Sequence, residues 1–185
     1  AQIVADEVVA TLVAGTLAND GELREENGRW EIVGDPTEVS LIVAARKVKA
    51  DRKIKRYTRV GEIPFTSERK RMSIIAKDST DSDKLTVFAK GAPDVLLSYC
   101  TRIRVGGQVR KLTEGDRQSI LATVARLSSE AYRTLGEACR PLETGSLADV
   151  PGVSVNAAGQ VSDIADQAEA IETDLIWNGM VGIIC

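Results

Sequence analysis

The chain has 185 residues, of which 43% are hydrophobic and 28% charged, proportions typical of a folded domain rather than a disordered chain. The net charge of -3 excludes a basic footprint for nucleic acid that covers the whole surface. The absence of histidine excludes Ser-His-Asp triads, Cys-His dyads and zinc sites that use imidazole.

Targeting and redox signals favour a soluble domain of a reducing compartment. The best apolar runs, residues 8–18 and 175–185, reach only about half of the roughly 20 residues that a bilayer-spanning helix needs. The N-terminal residues do not form a secretory signal. The three cysteines, Cys100, Cys139 and Cys185, are far apart and form no CxxC pair, which argues against a disulfide framework.

Hydrophobic periodicity and turn signals predict an alternation of helices and strands. In chain order, we expect a helix at 6–17, strands at 22–24 and 29–33, a helix at 36–48, strands at 57–63, 71–77 and 85–90, and a short helix ending at residue 99. A hairpin at 101–111, a helix at 113–129, a strand at 133–140, a helix at 163–172 and a buried strand at 175–184 follow. The meander predicts an α+β fold, a twisted antiparallel sheet of about six or seven strands flanked by helices.

Local signals fix several of these boundaries. Asn27-Gly28 is typical of a hairpin turn. Asp35 suits the N-cap of the second helix and Pro36 its first position. Residues 145–160 are rich in Gly, Ser, Val and Ala without clear periodicity, so we expect a surface insertion within a single domain spanning 1–185.

Three segments combine the residue types of a nucleotide site. They are GDPTE at 34–38, IPFTSERKRM at 63–72 and KGAPD at 90–94. The chain contains neither a GxxxxGK[ST] P-loop nor a GxGxxG sequence after a strand. A nucleotide site here would therefore have another design.

Together, the three segments resemble the nucleotide-binding (N) domain of P-type ATPases, the cation pumps that form an aspartyl-phosphate. The YRTL sequence at 132–135 resembles the later Arg-x-Leu segment of that domain, and residues 174–184 resemble the strand that leads back into the phosphorylation domain. The resemblance covers nearly the whole chain. GDPTE with KGAPD is more similar to calcium-pump-like (type II) pumps than to heavy-metal pumps, which use a His-Pro dipeptide.

The resemblance implies roles for residues around the adenine. Phe65 would stack on the base, since every base offers a π-face. Glu38 would accept a hydrogen bond from the adenine amino group, and Leu135 would pack on the purine. Simpler interpretations stay open: Phe65 as a core residue, and Glu38 as the N3 partner of a capping box.

The resemblance also implies a phosphate side. Lys70 and Lys90 would attract the polyphosphate, and Arg133 would bind phosphate oxygens with its planar fork. Gly91 and Ala92 would let the backbone approach the ligand closely. Lys70 is alternatively a solvated charge, and Arg133 a partner in a surface ion pair.

The sequence lacks the Asp-Lys-Thr-Gly-Thr motif that the family phosphorylates, so we expect no catalytic or metal-binding residue in it. The resemblance implies that the domain holds ATP, accompanied by Mg²⁺ in the full pump, and presents the γ-phosphate to a separate phosphorylation domain. The implied partners are the phosphorylation, actuator and membrane domains of the same pump. The implied location is the cytoplasmic face of a membrane, with the plasma membrane expected, and the isolated domain is expected to be monomeric.

Two other functions compete with this interpretation. A stand-alone ATP-sensing or partner-binding module would carry the same site without a pump. A nucleic-acid-binding domain would use the basic segment 46–59, which has only Tyr57 as an aromatic residue and no recognised motif. An upstream Asp-Lys-Thr-Gly-Thr sequence and flanking membrane helices would distinguish the pump from both.

Overall fold

The computed structural model describes residues 2–81, 83–161 and 163–184, with side chains from residue 6 onward. Two residues that bear on the sequence predictions lie outside these ranges: Cys185, the third cysteine, and Ser82, between the strands expected at 71–77 and 85–90. Cys100 and Cys139 are buried free thiols. No described helix is long and apolar enough to cross a membrane.

Helices and strands alternate along the chain as the periodicity predicts. The helices are α1 (Gln2–Leu17), α2 (Pro36–Lys47), α3 (Asp51–Ile54), α4 (Pro93–Ser98), α5 (Glu114–Ser129) and α6 (Ala168–Ile171). The strands are β1 (Glu22–Glu26), β2 (Arg29–Val33), β3 (Tyr57–Ile63), β4 (Arg71–Asp78), β5 (Leu85–Gly91), β6 (Cys100–Val105), β7 (Gln108–Lys111), β8 (Tyr132–Pro141) and β9 (Leu175–Ile184). Short 3-10 turns lie at Leu147–Asp149 and Ala165–Gln167.

The main sheet has seven strands in the order β3-β4-β5-β8-β9-β6-β7, and β1 and β2 form a separate hairpin. This confirms the α+β fold. The sheet is mixed rather than wholly antiparallel, because β6 pairs with β9 in parallel. Side-chain alternation reports which face of a strand is buried, but not the direction of the neighbouring strand. The parallel pairing of β6 with β9 could therefore not be predicted from the alternation of side chains.

The predicted turn at Asn27-Gly28 and the predicted Asp35 cap are confirmed. Asn27 and Gly28 both have positive φ, 53° and 76°, as the two-residue hairpin turn requires. Asp35 caps α2, accepting a hydrogen bond of 2.7 Å from the Thr37 amide. Thr113 caps α5 in a reciprocal capping box with Asp116.

Two predictions fail in detail, and one helix was missed. The helix expected at 163–172 is only a 3-10 turn and the single-turn α6, and the chain then turns into β9 at Asp174, where φ is +54°. The final strand is buried only over its first four residues, and its second half lies nearer the surface. The short helix α3, inside the basic segment 46–59, was not predicted.

Helices cover both faces of the sheet. On one face, α1 and α2 pack on β4 and β5 through residues such as Leu12, Leu41 and Ile74. On the other face, α4 packs through Leu96 and Leu97 onto a cluster that includes Trp177. The segment 145–160 lies mostly on the surface, although Val150 is buried in a third apolar cluster.

Strand pairing brings the candidate segments to one end of the sheet. Gly91, the last residue of β5, pairs with Arg71, the first residue of β4. On its other side, Gly91 pairs with Gly136 near the start of β8. The 63–72, 90–94 and 132–135 segments therefore meet at this end, and the N-terminus of α2 lies beside them.

Candidate functional site

A single cavity of about 480 Å³ unites the residues that the sequence singled out. Its lining includes all eight predicted site residues: Glu38, Phe65, Lys70, Lys90, Gly91, Ala92, Arg133 and Leu135. Sequence reasoning drew them from separate segments up to about a hundred residues apart. A volume of this size lies within the range of cavities that bind small molecules and cofactors.

The apolar part of the cavity combines one exposed aromatic ring with a buried floor. Phe65 is 58% exposed, so the core interpretation of this residue is wrong. Met72, at the start of β4, is buried, and Leu135 of β8 is partly buried. An exposed phenyl ring beside apolar side chains is suited to hold a flat, partly apolar group such as a base.

Lys90 and Glu38 form the most buried ion pair of the cavity. The Lys90 Nζ donates to the Glu38 Oε1 at 2.7 Å, and the side chains are 6% and 22% exposed. Glu38 stands at N3 of α2, but its carboxylate accepts from Lys90, and Asp35 caps the helix without forming a reciprocal box. Glu38 therefore acts as the partner of Lys90 rather than as a capping residue of α2.

Lys70 is held in an unusual backbone conformation at the edge of the cavity. Its φ is +53°, in the left-handed region that non-glycine residues seldom adopt. The Lys70 amide donates to the Thr66 carbonyl at 2.8 Å, and the Lys70 carbonyl accepts from the Ala92 amide at 3.0 Å. These bonds tie the turn after Phe65 to the end of β5.

Gly91 is required by the same close contact. A Cβ atom at this position would lie 2.6 Å from the Lys70 carbonyl oxygen and 2.6 Å from the Arg71 Cβ. Real Cβ atoms do not approach neighbours so closely. The glycine therefore lets β5 approach the Lys70 turn, which is a different reason from the close approach of a ligand that the sequence suggested.

Arg133 faces the N-terminus of α2 across the cavity. Its Nη1 donates to the Thr37 hydroxyl at 3.5 Å, a long hydrogen bond. Hydrogen bonds from Thr37 lower the pKa of Asp35, and the nearby Arg133 lowers it further. Neither Arg133 nor Lys70 forms a salt bridge within the described parts of the chain. Both cations are consequently available to an anionic ligand.

A buried charge cluster supports the Lys70 turn from behind. Glu172, which is fully buried, accepts hydrogen bonds from Arg69, from the Arg71 Nε at 2.8 Å and from the Ser73 hydroxyl at 2.6 Å. Arg69 also donates to the Pro64 carbonyl at 2.8 Å. Because Arg69 and Arg71, the two neighbours of Lys70, both donate to Glu172, the cluster fixes the backbone of the turn that carries Lys70 and Phe65.

Sequence reasoning missed five lining residues: Asp20, Asp35, Thr37, Met72 and Thr134. Asp35 was assigned as a helix cap, and it is a cap that also lines the cavity. Met72 and Thr37 lie inside the motifs that carried the resemblance, so those motifs could have identified them. Asp20 has no local signal, because only the packing of α1 against α2 brings it to the site.

The site contains no ready-made metal centre in the part of the chain that the structure describes, where no three His, Cys, Asp or Glu residues come together. Its acidic and basic side chains are instead distributed around the cavity. Such a lining can bind a ligand that brings both a base and negative charge.

Comparisons with known proteins point to one family. Residues 7–184 match the family described as "P-type ATPase, cytoplasmic domain N". The chain is similar to a "Calcium-transporting ATPase" of Bacillus subtilis, with 31% identity over 94% of the chain and 17% of the relative. It is also similar to a "Probable cation-transporting ATPase F" of Mycobacterium bovis, with 38% identity over 68% of the chain and 14% of the relative. A human "Calcium-transporting ATPase type 2C member 1" shares 35% identity over 72% of the chain and 14% of its own length.

Proposed function

Since the chain belongs to the family of cytoplasmic N domains of P-type ATPases, we propose that it binds ATP in the cavity at the end of the sheet. The observation that carries the proposal is the convergence of all eight predicted site residues on that one cavity. Because the chain spans only 14–17% of the length of the relatives compared, the activity of a whole pump is part of the proposal.

The adenine is proposed to lie on Phe65, above the apolar floor formed by Met72 and Leu135. The exposure of Phe65 supports this placement, because a ring with an open face loses water to a stacked base without rearranging the core. Glu38 lines the same cavity as the floor and is proposed to accept from the adenine amino group, although it now accepts from Lys90.

The phosphates are proposed to lie towards Lys70 and Arg133 and to reach the Lys90 ammonium, which lines the same cavity. The charges of Lys70 and Arg133 are not neutralised by salt bridges from the described residues, whereas Lys90 forms a salt bridge with Glu38. A phosphate that reaches Lys90 competes with the Glu38 carboxylate. Mg²⁺ would accompany the nucleotide and neutralise part of its charge, while Lys70 and Arg133 orient the phosphate oxygens.

The domain would then present the γ-phosphate to an aspartate of a separate phosphorylation domain. In-line phosphoryl transfer needs a positioned nucleophile, and these 185 residues contain no Asp-Lys-Thr-Gly-Thr sequence. We propose a parent pump of the calcium-pump-like subgroup, with actuator and membrane domains as further partners. The domain would work as a monomer at the cytoplasmic face of a membrane, with the plasma membrane proposed.

Calorimetric titration of ATP into Lys90→Gln tests the assignment of the cavity. Losing a charge-assisted hydrogen bond should weaken binding roughly 10- to 100-fold, because such bonds contribute about 1.5–3 kcal/mol. Lys84→Gln is the matched control, since Lys84 is a partly exposed lysine that directly precedes β5, at the other end of the strand from Lys90, and pairs with Glu143. Equal affinities for the two variants would contradict the proposal.

A further inference from the structure

Glu137 is a fully buried carboxylate directly behind the candidate site. It lies in β8, where its Cα pairs with that of Lys90 in β5. Directly opposed residues of an antiparallel pair project from the same face, with Cβ atoms about 5 Å apart. Glu137 and Lys90 are therefore side by side beneath the cavity.

The carboxylate has no hydrogen-bond partner of its own. Within residues 2–81, 83–161 and 163–184, neither Glu137 oxygen is hydrogen-bonded. Its other neighbour is the backbone of α1, where a Cβ at Gly15 would lie 2.9 Å from the Glu137 Oε1. Buried polar groups are nearly always hydrogen-bonded, so an exception beside a binding cavity requires an explanation.

Three ionisable groups thus form a row from the solvent inward. Glu38 is partly exposed, Lys90 is almost buried and Glu137 is fully buried. Lys90 is paired with Glu137 across the strands and is hydrogen-bonded to Glu38. What binds the Lys90 ammonium is therefore set by Glu38, by Glu137 and by any ligand that enters the cavity.

We propose that Glu137 is a positioning residue for Lys90: as the neutral acid it leaves the ammonium to the nucleotide, and as a carboxylate it competes with the phosphates for it. This inference rests on the proposed function. The ligand class is a nucleoside triphosphate, and the consequence is that nucleotide affinity depends on the protonation of Glu137.

The surroundings of Glu137 favour the neutral acid. Burial raises the pKa of Glu137 well above its usual range, and the charge of Lys90 only partly opposes this. The α1 residue against it is Gly15, and its β9 partner is Gly179, so neither neighbour contributes a charge. Helices α4 and α5 pack on the opposite face of β8, where Ala138 points. The charge of Lys90 is accordingly the one that acts on the pKa of Glu137.

The protonation state sets the charge that the nucleotide meets. With Glu137 neutral, the Glu38 and Lys90 charges cancel. With Glu137 ionised, the row carries one net negative charge and repels the phosphates. By linkage, a nucleotide that raises the Glu137 pKa must bind more weakly once Glu137 has ionised.

The test compares the ATP dissociation constants of the wild-type chain and Glu137→Gln by calorimetry from about pH 5 to about pH 9, a range that covers a raised carboxyl pKa. The amide is a neutral isostere that cannot ionise. We expect the wild-type affinity to fall about tenfold relative to that of the variant as pH rises, because the titration of ATP itself is common to both. Glu143→Gln, at an exposed glutamate, should follow the wild-type profile.

A second measurement needs no variant. Carbon-13 NMR of the wild-type Glu137 carboxyl group should show its pKa rising when saturating nucleotide is added. Parallel pH profiles for wild type and Glu137→Gln, or an unchanged Glu137 pKa, would overturn this inference alone. Absence of nucleotide binding at every pH would overturn the proposed function together with it.

Discussion

Glu137 and Glu172 are both fully buried, but their surroundings are opposite. Glu172 accepts from two arginines and a serine hydroxyl, which neutralise its charge and fill its acceptor positions. Glu137 has one lysine nearby and, across the described chain, no hydrogen bond to either oxygen. Glu172 is therefore a fixed part of the fold. The charge of Glu137, by contrast, is proposed to depend on whether a nucleotide is bound to the ammonium of its neighbour, Lys90.

The largest effect is expected from Glu172→Gln. This change leaves Arg69 and Arg71 beside a neutral amide in a buried cluster, and breaking a buried ion pair costs about 3–5 kcal/mol. Urea denaturation should show this loss in the free energy of unfolding. Glu130→Gln, which breaks only the exposed pair with Arg126, should cost less than about 0.5 kcal/mol. Similar losses for the two variants would remove the distinction between buried and exposed glutamates.

Glu137→Gln should raise the free energy of unfolding rather than lower it, and the size of this change should depend on pH. Because burial raises the folded-state pKa of Glu137 above the unfolded value, its stabilising contribution is fully present below the unfolded pKa. That contribution is lost as pH rises through the folded pKa. The variant cannot ionise, so its unfolding free energy should match that of the wild type at low pH and exceed it by about 1–3 kcal/mol at high pH. A difference that does not change with pH would mean that Glu137 does not titrate in this range.

The smallest effect is expected from Arg69→Lys. Arg71 and Ser73 still donate hydrogen bonds to Glu172 in this variant. The Arg69 guanidinium, which donates to both Glu172 and the Pro64 carbonyl, is lost. We expect a loss of about 1 kcal/mol in the free energy of unfolding, as for one hydrogen bond. A loss as large as that of Glu172→Gln would show that Arg69 alone balances the buried charge.

Local structure was predictable from the sequence because its causes are local. The Asn27-Gly28 turn and the Asp35 cap follow from residues within one turn of each other. The helix expected at 163–172 failed because Glu172 is held by arginines about a hundred positions earlier, and local periodicity contains no sign of them. The direction of β9 beside β6 is likewise a property of the assembled sheet.

The candidate site divides in the same way. The motifs contained Phe65, Lys70 and Lys90, and the structure brings them to one cavity. Glu137 was overlooked although it left a signal: a charged residue at an inward position of a strand, between Gly136 and Ala138. Its meaning depends on the pairing with Lys90 and on the contact with Gly15, which only the fold creates.

The central claim is that ATP occupies the cavity at the end of the sheet, and amide NMR of the nitrogen-15-labelled chain during ATP titration tests it most directly. Binding there should shift the amides of Phe65, Lys70, Gly91 and Leu135, while those of the β6–β7 hairpin, at the far edge of the sheet, stay in place. Unchanged spectra at millimolar ATP, or shifts confined to residues outside the cavity, would contradict the account.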